Sequence, residues 1–166
     1  MTEKRTSGII EEGTVAGFIG ATSIVLWFGL VDALAGQLYR TPTVLGQALF
    51  RFFGPDAGES TATLILGYTA FHYVVFIGIG IVLSWALRHA EREPTLMAGA
   101  VLAFVMFEIG FYGFTALLSE SELLGHLAWY QVGAANLLAA SLMGGYLLHE
   151  HPVLLRHMGY ALGGRE

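Results

Sequence analysis

The sequence predicts an all-α polytopic membrane protein: a single bundle, residues 1–166, of four transmembrane helices plus one short amphipathic interfacial helix between spans 1 and 2. Of its 166 residues, 55% are hydrophobic and 13% are charged, whereas roughly a quarter of the residues in a soluble domain are charged. The hydrophobic residues are gathered into four runs, each long enough to cross about 30 Å of hydrocarbon. Such helices need lipid around them, because a chain of this length cannot build a core large enough to bury them.

Composition also excludes several classes of protein. The formal net charge is −5 and no basic run is present, so no nucleic-acid partner is predicted. The chain has no cysteine, which excludes disulfides, thiolate metal sites and a cysteine nucleophile. The first ten residues are mostly polar and include no cleavable signal peptide, so the first apolar run is expected to stay as an anchor. The four predicted spans cover residues 14–34, 62–88, 95–118 and 123–148.

The first predicted span, 14–34, opens with three glycines, Gly13, Gly17 and Gly20, that leave one helical face almost without side chains. Small residues allow helices to approach closely in lipid, where packing rather than hydrophobicity favours association. We therefore expect this face to pack against another helix of the same chain, with dimerisation as the alternative. Asp32 lies in the last turn and is interpreted as a solvated carboxylate at the helix end, with a place in a polar site as the alternative.

A short amphipathic helix is predicted at residues 42–53. Thr41 offers a capping hydroxyl and Pro42 suits the first helical position, while Gly54-Pro55 ends the segment. Its apolar residues recur at helical spacing on one face: Val44, Leu45, Ala48, Leu49, Phe52 and Phe53. A helix of about 12 residues cannot cross a bilayer, so this one is expected to lie in the membrane interface or to cap the bundle.

Polar side chains inside the spans form the candidate site, because ionisable groups are costly at membrane depth and are functional candidates there. Glu108 lies near the centre of the third span, and we predict His72 and Asn136 as its hydrogen-bond partners. Gly133 is a predicted helix-packing residue on a stripe expected to face inward: His126, Trp129, Gly133, Asn136, Ala140 and Gly144. The full set of ligand- or proton-binding candidates is Glu108, His72, Asn136, Tyr68, Tyr112, Tyr130, Gln131, His126 and Asp32.

Recognisable catalytic and cofactor patterns are missing from the sequence. His72 and His126 differ in predicted depth by roughly 10 Å, which argues against a haem held between them. No Glu-x-x-His spacing follows Glu108, so no di-metal centre is predicted. The run His149-Glu150-His151 is interpreted as a solvated helix end rather than a metal site. We therefore predict no catalytic residue, no metal and no cofactor, and an enzyme is the less favoured class.

The basic residues beside the spans predict the orientation. Six lie on one predicted side and two on the other: Lys4, Arg5, Arg88, Arg92, Arg156 and Arg165 against Arg40 and Arg51. Because the cytoplasmic side carries the excess of lysine and arginine, both termini are predicted to be cytoplasmic, in a multi-pass protein of the inner membrane.

Three stretches carry a resemblance to known proteins: residues 27–46 with the Thr41-Pro42 step, Tyr68-Thr-Ala-Phe-His72, and Trp129-Tyr-Gln-Val-Gly-Ala-Ala-Asn136. With them the sequence resembles, over most of its length, small four-span bacterial inner-membrane proteins. The resemblance implies four helices and a bacterial inner membrane. It implies no activity, cofactor or site residue.

Two functions are compatible with these observations. The favoured one is an accessory or scaffold protein that packs against partner helices, its partners being lipid and other membrane-protein subunits or a second copy of the chain. The alternative is a protein that binds a proton or a small, quinone-like lipophile through an intramembrane cluster of Glu108, His72 and Asn136. In the first hypothesis the polar cluster only holds the helices together, whereas in the second it also binds the proton or the ligand.

Overall fold

The structure, a computed structural model, describes residues 2–51, 53, 60–90 and 129–152. In these ranges the chain forms four α-helices and no strand: α1 (Thr2–Leu34), α2 (Arg40–Arg51), α3 (Thr61–Ala90) and α4 (Trp129–Glu150). The predicted third span, 95–118, with Glu108 and Tyr112, lies outside the described residues, as does His126 near the start of the predicted fourth span.

Three of these helices are long and apolar enough to cross a membrane: Gly8–Leu34, Thr61–His89 and Tyr130–Glu150. The shortest of them, Tyr130–Glu150, has 21 residues, and at the α-helical rise it extends about 31 Å, close to the thickness of the hydrocarbon layer. The prediction of an all-helical membrane protein is confirmed to this extent.

The first helix starts well before the predicted span. α1 begins at Thr2, so Glu12, which the sequence places in a polar tail, belongs to a continuous helix. The polar end of α1 can stay helical beside other helices because the Glu12 carboxylate meets donors on α3, including Ser84. Buried polar groups of this kind are tolerated where a partner satisfies them.

The glycines of α1 lie against the backbone of α3, which runs antiparallel to α1. A Cβ built on Gly13 would overlap the backbone of Ile81, and one built on Gly17 would lie 2.5 Å from the Ile77 Cα. A Cβ on Gly80 of α3 would in turn come within 2.6 Å of the Gly17 nitrogen. The two helices are therefore in backbone contact, which only glycine permits at these positions.

The fourth helix packs on another side of α1, and it too is antiparallel to α1. Gly20 leaves the space that the Met143 side chain fills, and Phe28 of α1 packs in a buried cluster with Ala135 and Ala139 of α4. The buried face of α4 is made of every fourth residue: Ala135, Ala139, Met143 and Leu147. α1 therefore lies between α3 and α4, which make few contacts with each other.

The predicted inward stripe of α4 is not the face that packs against α1, and its packing against the rest of the chain stays a prediction. The face that α1 covers is offset by one residue from the stripe of Gly133 and Asn136, both of which are only half-buried. Both stripes are rich in small residues, so residue size alone did not distinguish them. The contact with Phe28 favours the alanine face, because Ala135 and Ala139 leave room for an aromatic ring.

The short helix α2 lies between α1 and α3 in sequence and packs against α3. A Cβ on Gly46 would lie 2.5 Å from the Leu64 carbonyl oxygen, and the Phe50 ring occupies the space above Gly67. The helix covers Arg40–Arg51 rather than the predicted 42–53. Ser60 caps α3, since its hydroxyl oxygen accepts a hydrogen bond from the Thr63 N–H at 3.1 Å.

Candidate functional site

A cavity of about 190 Å³ lies between α1, α2 and α3, at the end of the bundle where α1 stops. We call it the α2 cavity, and we call this end of the bundle the Asp32 end. Most of the lining is apolar, with Ile24 and Phe28 from α1 and Ile65 from α3. The side chains with polar groups in its lining are Asp32, Tyr39, Thr41, Tyr68, Thr69 and His72. Three of the predicted candidates, Asp32, Tyr68 and His72, thus share one cavity.

Asp32 is not the solvated carboxylate expected from the sequence. Its residue exposure is 4%; Oδ2 accepts the backbone N–H of Thr41 at 2.7 Å, and Oδ1 accepts the Thr41 hydroxyl at 2.8 Å. The carboxylate faces the positive end of the α2 dipole, which stabilises a negative charge. The expectation that Thr41 caps α2 is wrong, because α2 begins at Arg40 and Thr41 lies inside its first turn, where the hydroxyl donates to Asp32.

Two left-handed residues make the sharp connection between α1 and α2. Gly36 has φ of 68°, and Tyr39 has φ of 74°, a conformation that costs a non-glycine residue roughly 1–2 kcal/mol. Thr43 holds the Tyr39 carbonyl oxygen through its N–H at 3.1 Å and its hydroxyl at 2.7 Å. This conformation leaves the Tyr39 side chain exposed at the wall of the α2 cavity.

His72 is a second buried titratable group of the cavity, with 8% of its surface exposed. Its Nε2 lies 3.3 Å from the Ala21 carbonyl oxygen. A carbonyl can only accept, so Nε2 carries the hydrogen, and in the neutral ring Nδ1 then presents a lone pair. The imidazole is held by aromatic rings of its own helix, with centroids 5.8 Å from Tyr68 and 4.6 Å from Phe76.

The remaining candidates that the structure describes lie away from this cavity. Gln131 of α4 accepts a hydrogen bond from the Trp27 indole at 3.2 Å and so links α4 to α1. Tyr130 is exposed, and Asn136 has no hydrogen-bond partner among the residues that the structure describes. The proposed sharing of a proton or ligand between Glu108, His72 and Asn136 stays a prediction, since Glu108 lies outside those residues.

Sequence reasoning missed a second polar group at the opposite end of the bundle, which we call the Glu12 end. The Glu12 cluster consists of Glu12, Ser84, Arg88 and His151. Glu12 Oε2 accepts hydrogen bonds from the Ser84 hydroxyl at 3.1 Å and from Arg88 Nε at 3.3 Å, while Arg88 Nη2 pairs with Glu12 Oε1. Two-pronged arginine–carboxylate pairs of this kind are strong and directional.

His151 joins the Glu12 cluster from the end of α4. Its Nε2 lies 3.3 Å from Glu12 Oε2, and 5% of the residue is exposed. The interpretation of the 149–151 run as a solvated helix end is therefore wrong for His151. The sequence shows only that Glu12 lies eight residues before Gly20 and so shares a face with one of the glycines predicted to pack against another helix; it does not indicate which residues Glu12 meets there.

No protein-family model, no curated protein and no solved structure matches this chain. The resemblance to small four-span bacterial membrane proteins therefore has no matched relative behind it. The site is interpreted from its own geometry: an apolar cavity with a histidine at one end, and a charge cluster that joins three helices at the other end of the bundle.

Proposed function

We propose that this is a membrane protein that binds a small lipophilic molecule in the α2 cavity. The single observation that carries the proposal is the cavity itself, about 190 Å³ and mostly apolar, with His72 and Tyr68 among its few polar side chains. A mainly apolar wall with a few placed polar groups is typical of small-molecule sites. A protein cavity of about 150 Å³ accepts a benzene ring, so the α2 cavity has room for one six-membered ring.

The position of the cavity supports entry from the lipid. Val25, Leu38 and Tyr39 belong to its lining and are also exposed on the outer surface. His72 at the inner end bonds to Ala21, which lies near the middle of the candidate span Gly8–Leu34. A ring bound beside His72 would therefore reach close to the centre of the membrane, with any attached tail free to extend past the exposed rim.

A pair of glycine substitutions tests the proposal. Gly29 lines the cavity, and a Cβ at Gly29 or at Gly78 meets no atom within 4 Å, so Gly29→Phe fills the cavity while Gly78→Phe is the matched control on α3. The probe is 4-fluorotoluene added to purified protein in nanodiscs. A ligand at a hundred times its Kd raises the free energy of unfolding by about 2.7 kcal/mol. We expect a rise in unfolding temperature in the unmodified chain and in Gly78→Phe, and none in Gly29→Phe. Absence of a saturable rise in the unmodified chain would refute the proposal.

We further propose a fourth crossing of the membrane between α3 and α4, at the predicted span 95–118. The support is the direction of the helices: α3 ends beside Glu12, where Arg88 pairs, whereas α4 begins near Trp27, where Gln131 bonds. Glu12 and Trp27 lie about 22 Å apart along α1. The chain must therefore return across the bundle between the two helices, and both termini then lie on the same side.

The side assignment follows the basic residues, so we propose that both termini are cytoplasmic in a bacterial inner membrane and that α2 lies at the outer interface. Gln47 and Arg51 are exposed on α2, as an interfacial helix requires.

The orientation can be tested by cysteine labelling. The chain has no cysteine, so Thr2→Cys, Leu38→Cys and Glu166→Cys each report one position. A membrane-impermeant maleimide added to intact spheroplasts should label Leu38→Cys and neither terminal variant. Labelling of only one terminus would exclude an even number of crossings.

The scaffold role predicted from the sequence stays a prediction. Leu26, Leu30 and Leu34 form an exposed stripe along α1, and lipid covers such a stripe as well as a partner helix does. No specific observation among the described residues favours a protein partner over lipid.

A further inference from the structure

We propose that the ligand of the α2 cavity carries a hydroxyl group on its ring, as a phenol or quinol does, and that this hydroxyl donates a hydrogen bond to His72 Nδ1. The inference rests on the proposed function, because it assigns a chemical class to the ligand of the same cavity. It starts from the hydrogen bonds that the polar groups of the cavity already make.

Most of the polar groups in the lining are already satisfied. Both carboxylate oxygens of Asp32 accept hydrogen bonds from Thr41. The Thr69 hydroxyl donates to the Ile65 carbonyl oxygen of its own helix at 2.7 Å. The hydrogens of these groups are therefore already in use, and what the three residues can still offer a ligand is acceptance of a hydrogen bond.

His72 and Tyr68 are different. His72 Nε2 donates to Ala21, which leaves Nδ1 as an acceptor that no described residue pairs. The side chain is more than nine-tenths buried and lines the cavity. The Tyr68 hydroxyl also has no hydrogen-bond partner among the described residues, and its ring stacks on His72. The cavity thus presents one bare acceptor and one hydroxyl that both donates and accepts.

These two groups select for an O–H on the ligand. A ketone, quinone or ether oxygen only accepts, so it can take a hydrogen bond from Tyr68 but leaves His72 Nδ1 unpaired. A ring hydroxyl donates to Nδ1 and accepts from Tyr68 at the same time. Leaving a buried acceptor without a partner is costly, and sites built for a hydroxyl reject analogues that lack it. The cavity should therefore prefer a phenol or quinol to the corresponding ether or quinone.

The test compares two molecules that differ only in whether the ring oxygen carries a hydrogen or a methyl group: 4-fluorophenol and its methyl ether, 4-fluoroanisole. Binding of each to the purified protein in nanodiscs is measured by ¹⁹F NMR, with empty nanodiscs to subtract partition into lipid. We expect the phenol to bind about tenfold more tightly than the ether, the effect of one hydrogen bond. A second pair, 4-octylphenol and 4-octylanisole, asks whether the ligand is a lipid-like phenol with a tail or a free ring; tighter binding of the tailed phenol identifies the former.

Two variants locate the preference. In His72→Phe the ratio of the two dissociation constants should fall to near one, whereas Thr22→Val, which removes a hydroxyl bonded to Tyr73 instead, should leave the ratio unchanged. Equal binding of phenol and ether to the unmodified chain would overturn the inference and leave the proposed function standing. Failure of all four molecules to bind would overturn both. The ratio of the two dissociation constants measured on the unmodified chain tests the inference even if His72→Phe does not fold.

Discussion

Asp32 and Thr41 are joined by two hydrogen bonds, one from the Thr41 backbone N–H at 2.7 Å and one from its hydroxyl at 2.8 Å. Both residues are buried and line the α2 cavity. The pair ties the last turn of α1 to the first turn of α2, so one wall of the cavity depends on it.

Removing the Asp32 carboxylate should weaken the attachment of α2 to α1. Hydrogen bonds to a charged group contribute about 1.5–3 kcal/mol each, so we expect the loss of two such bonds in Asp32→Ala to lower the free energy of unfolding by about 3–6 kcal/mol. Thr41→Val should cost less, because the backbone N–H still reaches Asp32. A double-mutant cycle in detergent, followed by denaturant unfolding, measures the coupling between the two residues.

Thr43→Val is the matched control for Thr41→Val. Thr43 lies in the same helix turn, but its hydroxyl donates only to the nearby Tyr39 carbonyl at an exposed position. We expect its effect to stay within about 0.5 kcal/mol. Equal losses at Thr41 and Thr43 would show that the contact with Asp32 does not anchor α2.

Close packing of α1 on α3 should be sensitive to a single methyl group. The Cβ of Gly17→Ala would lie 2.5 Å from the Ile77 Cα, so the helices must move apart, and such overpacking costs about 1–3 kcal/mol. Gly78→Ala is the control, since a Cβ there meets nothing within 4 Å and alanine favours helix over glycine. Thermal unfolding in detergent should show a loss for Gly17→Ala alone.

The Glu12 cluster should behave as one unit. Glu12→Gln leaves the Arg88 guanidinium without its counter-charge in a half-buried position, and we expect a loss of about 1–3 kcal/mol, below the range for fully buried pairs. Because the second substitution removes the unpaired charge, the double variant Glu12→Gln/Arg88→Gln should be less destabilised than the sum of its two single variants.

The neighbouring Glu11 supplies the control for this prediction. Glu11 is exposed, so Glu11→Gln makes the same change in charge beside the same helix. Unfolding free energies from denaturant titration should be unchanged for Glu11→Gln. Additive losses for Glu12 and Arg88 would contradict the coupling.

Two hydrogen bonds between neutral side chains of different long helices should matter less than the glycine contacts. Thr22 and Tyr73 are 3.0 Å apart, and Trp27 and Gln131 are 3.2 Å apart, but hydrogen bonds between membrane helices contribute only about 0.6 kcal/mol on average. We expect Thr22→Val and Gln131→Leu each to cost about that amount and Gly17→Ala to cost more. The opposite order, in the same unfolding assay, would mean that polar contacts dominate the packing.

The sequence predicted some parts of this structure well because those parts depend on local pattern. The long apolar helices follow from runs of hydrophobic residues that are long enough to cross a membrane. The spacing of Gly13 and Gly17 indicated a bare helical face, and the structure places that face against α3 of the same chain.

Other parts could not be predicted, because they depend on contacts between residues far apart in sequence. Glu12 and Arg88 are separated by 76 residues, and each alone has the pattern of a solvated helix end. Asp32 has the same local appearance, yet it is buried by α2.

The sequence by itself determined that the chain is helical and that its long helices need lipid, because hydropathy and length decide both. Only the tertiary structure decided which polar groups meet: the His72 imidazole and the Ala21 carbonyl, the Asp32 carboxylate and Thr41, and Glu12 and Arg88. A polar group inside a membrane protein takes its partner from whichever helix lies beside it, and the arrangement of neighbours is set by how the helix faces fit. The α2 cavity is the space that remains between the packed helices, so it could not be predicted from any single run of residues.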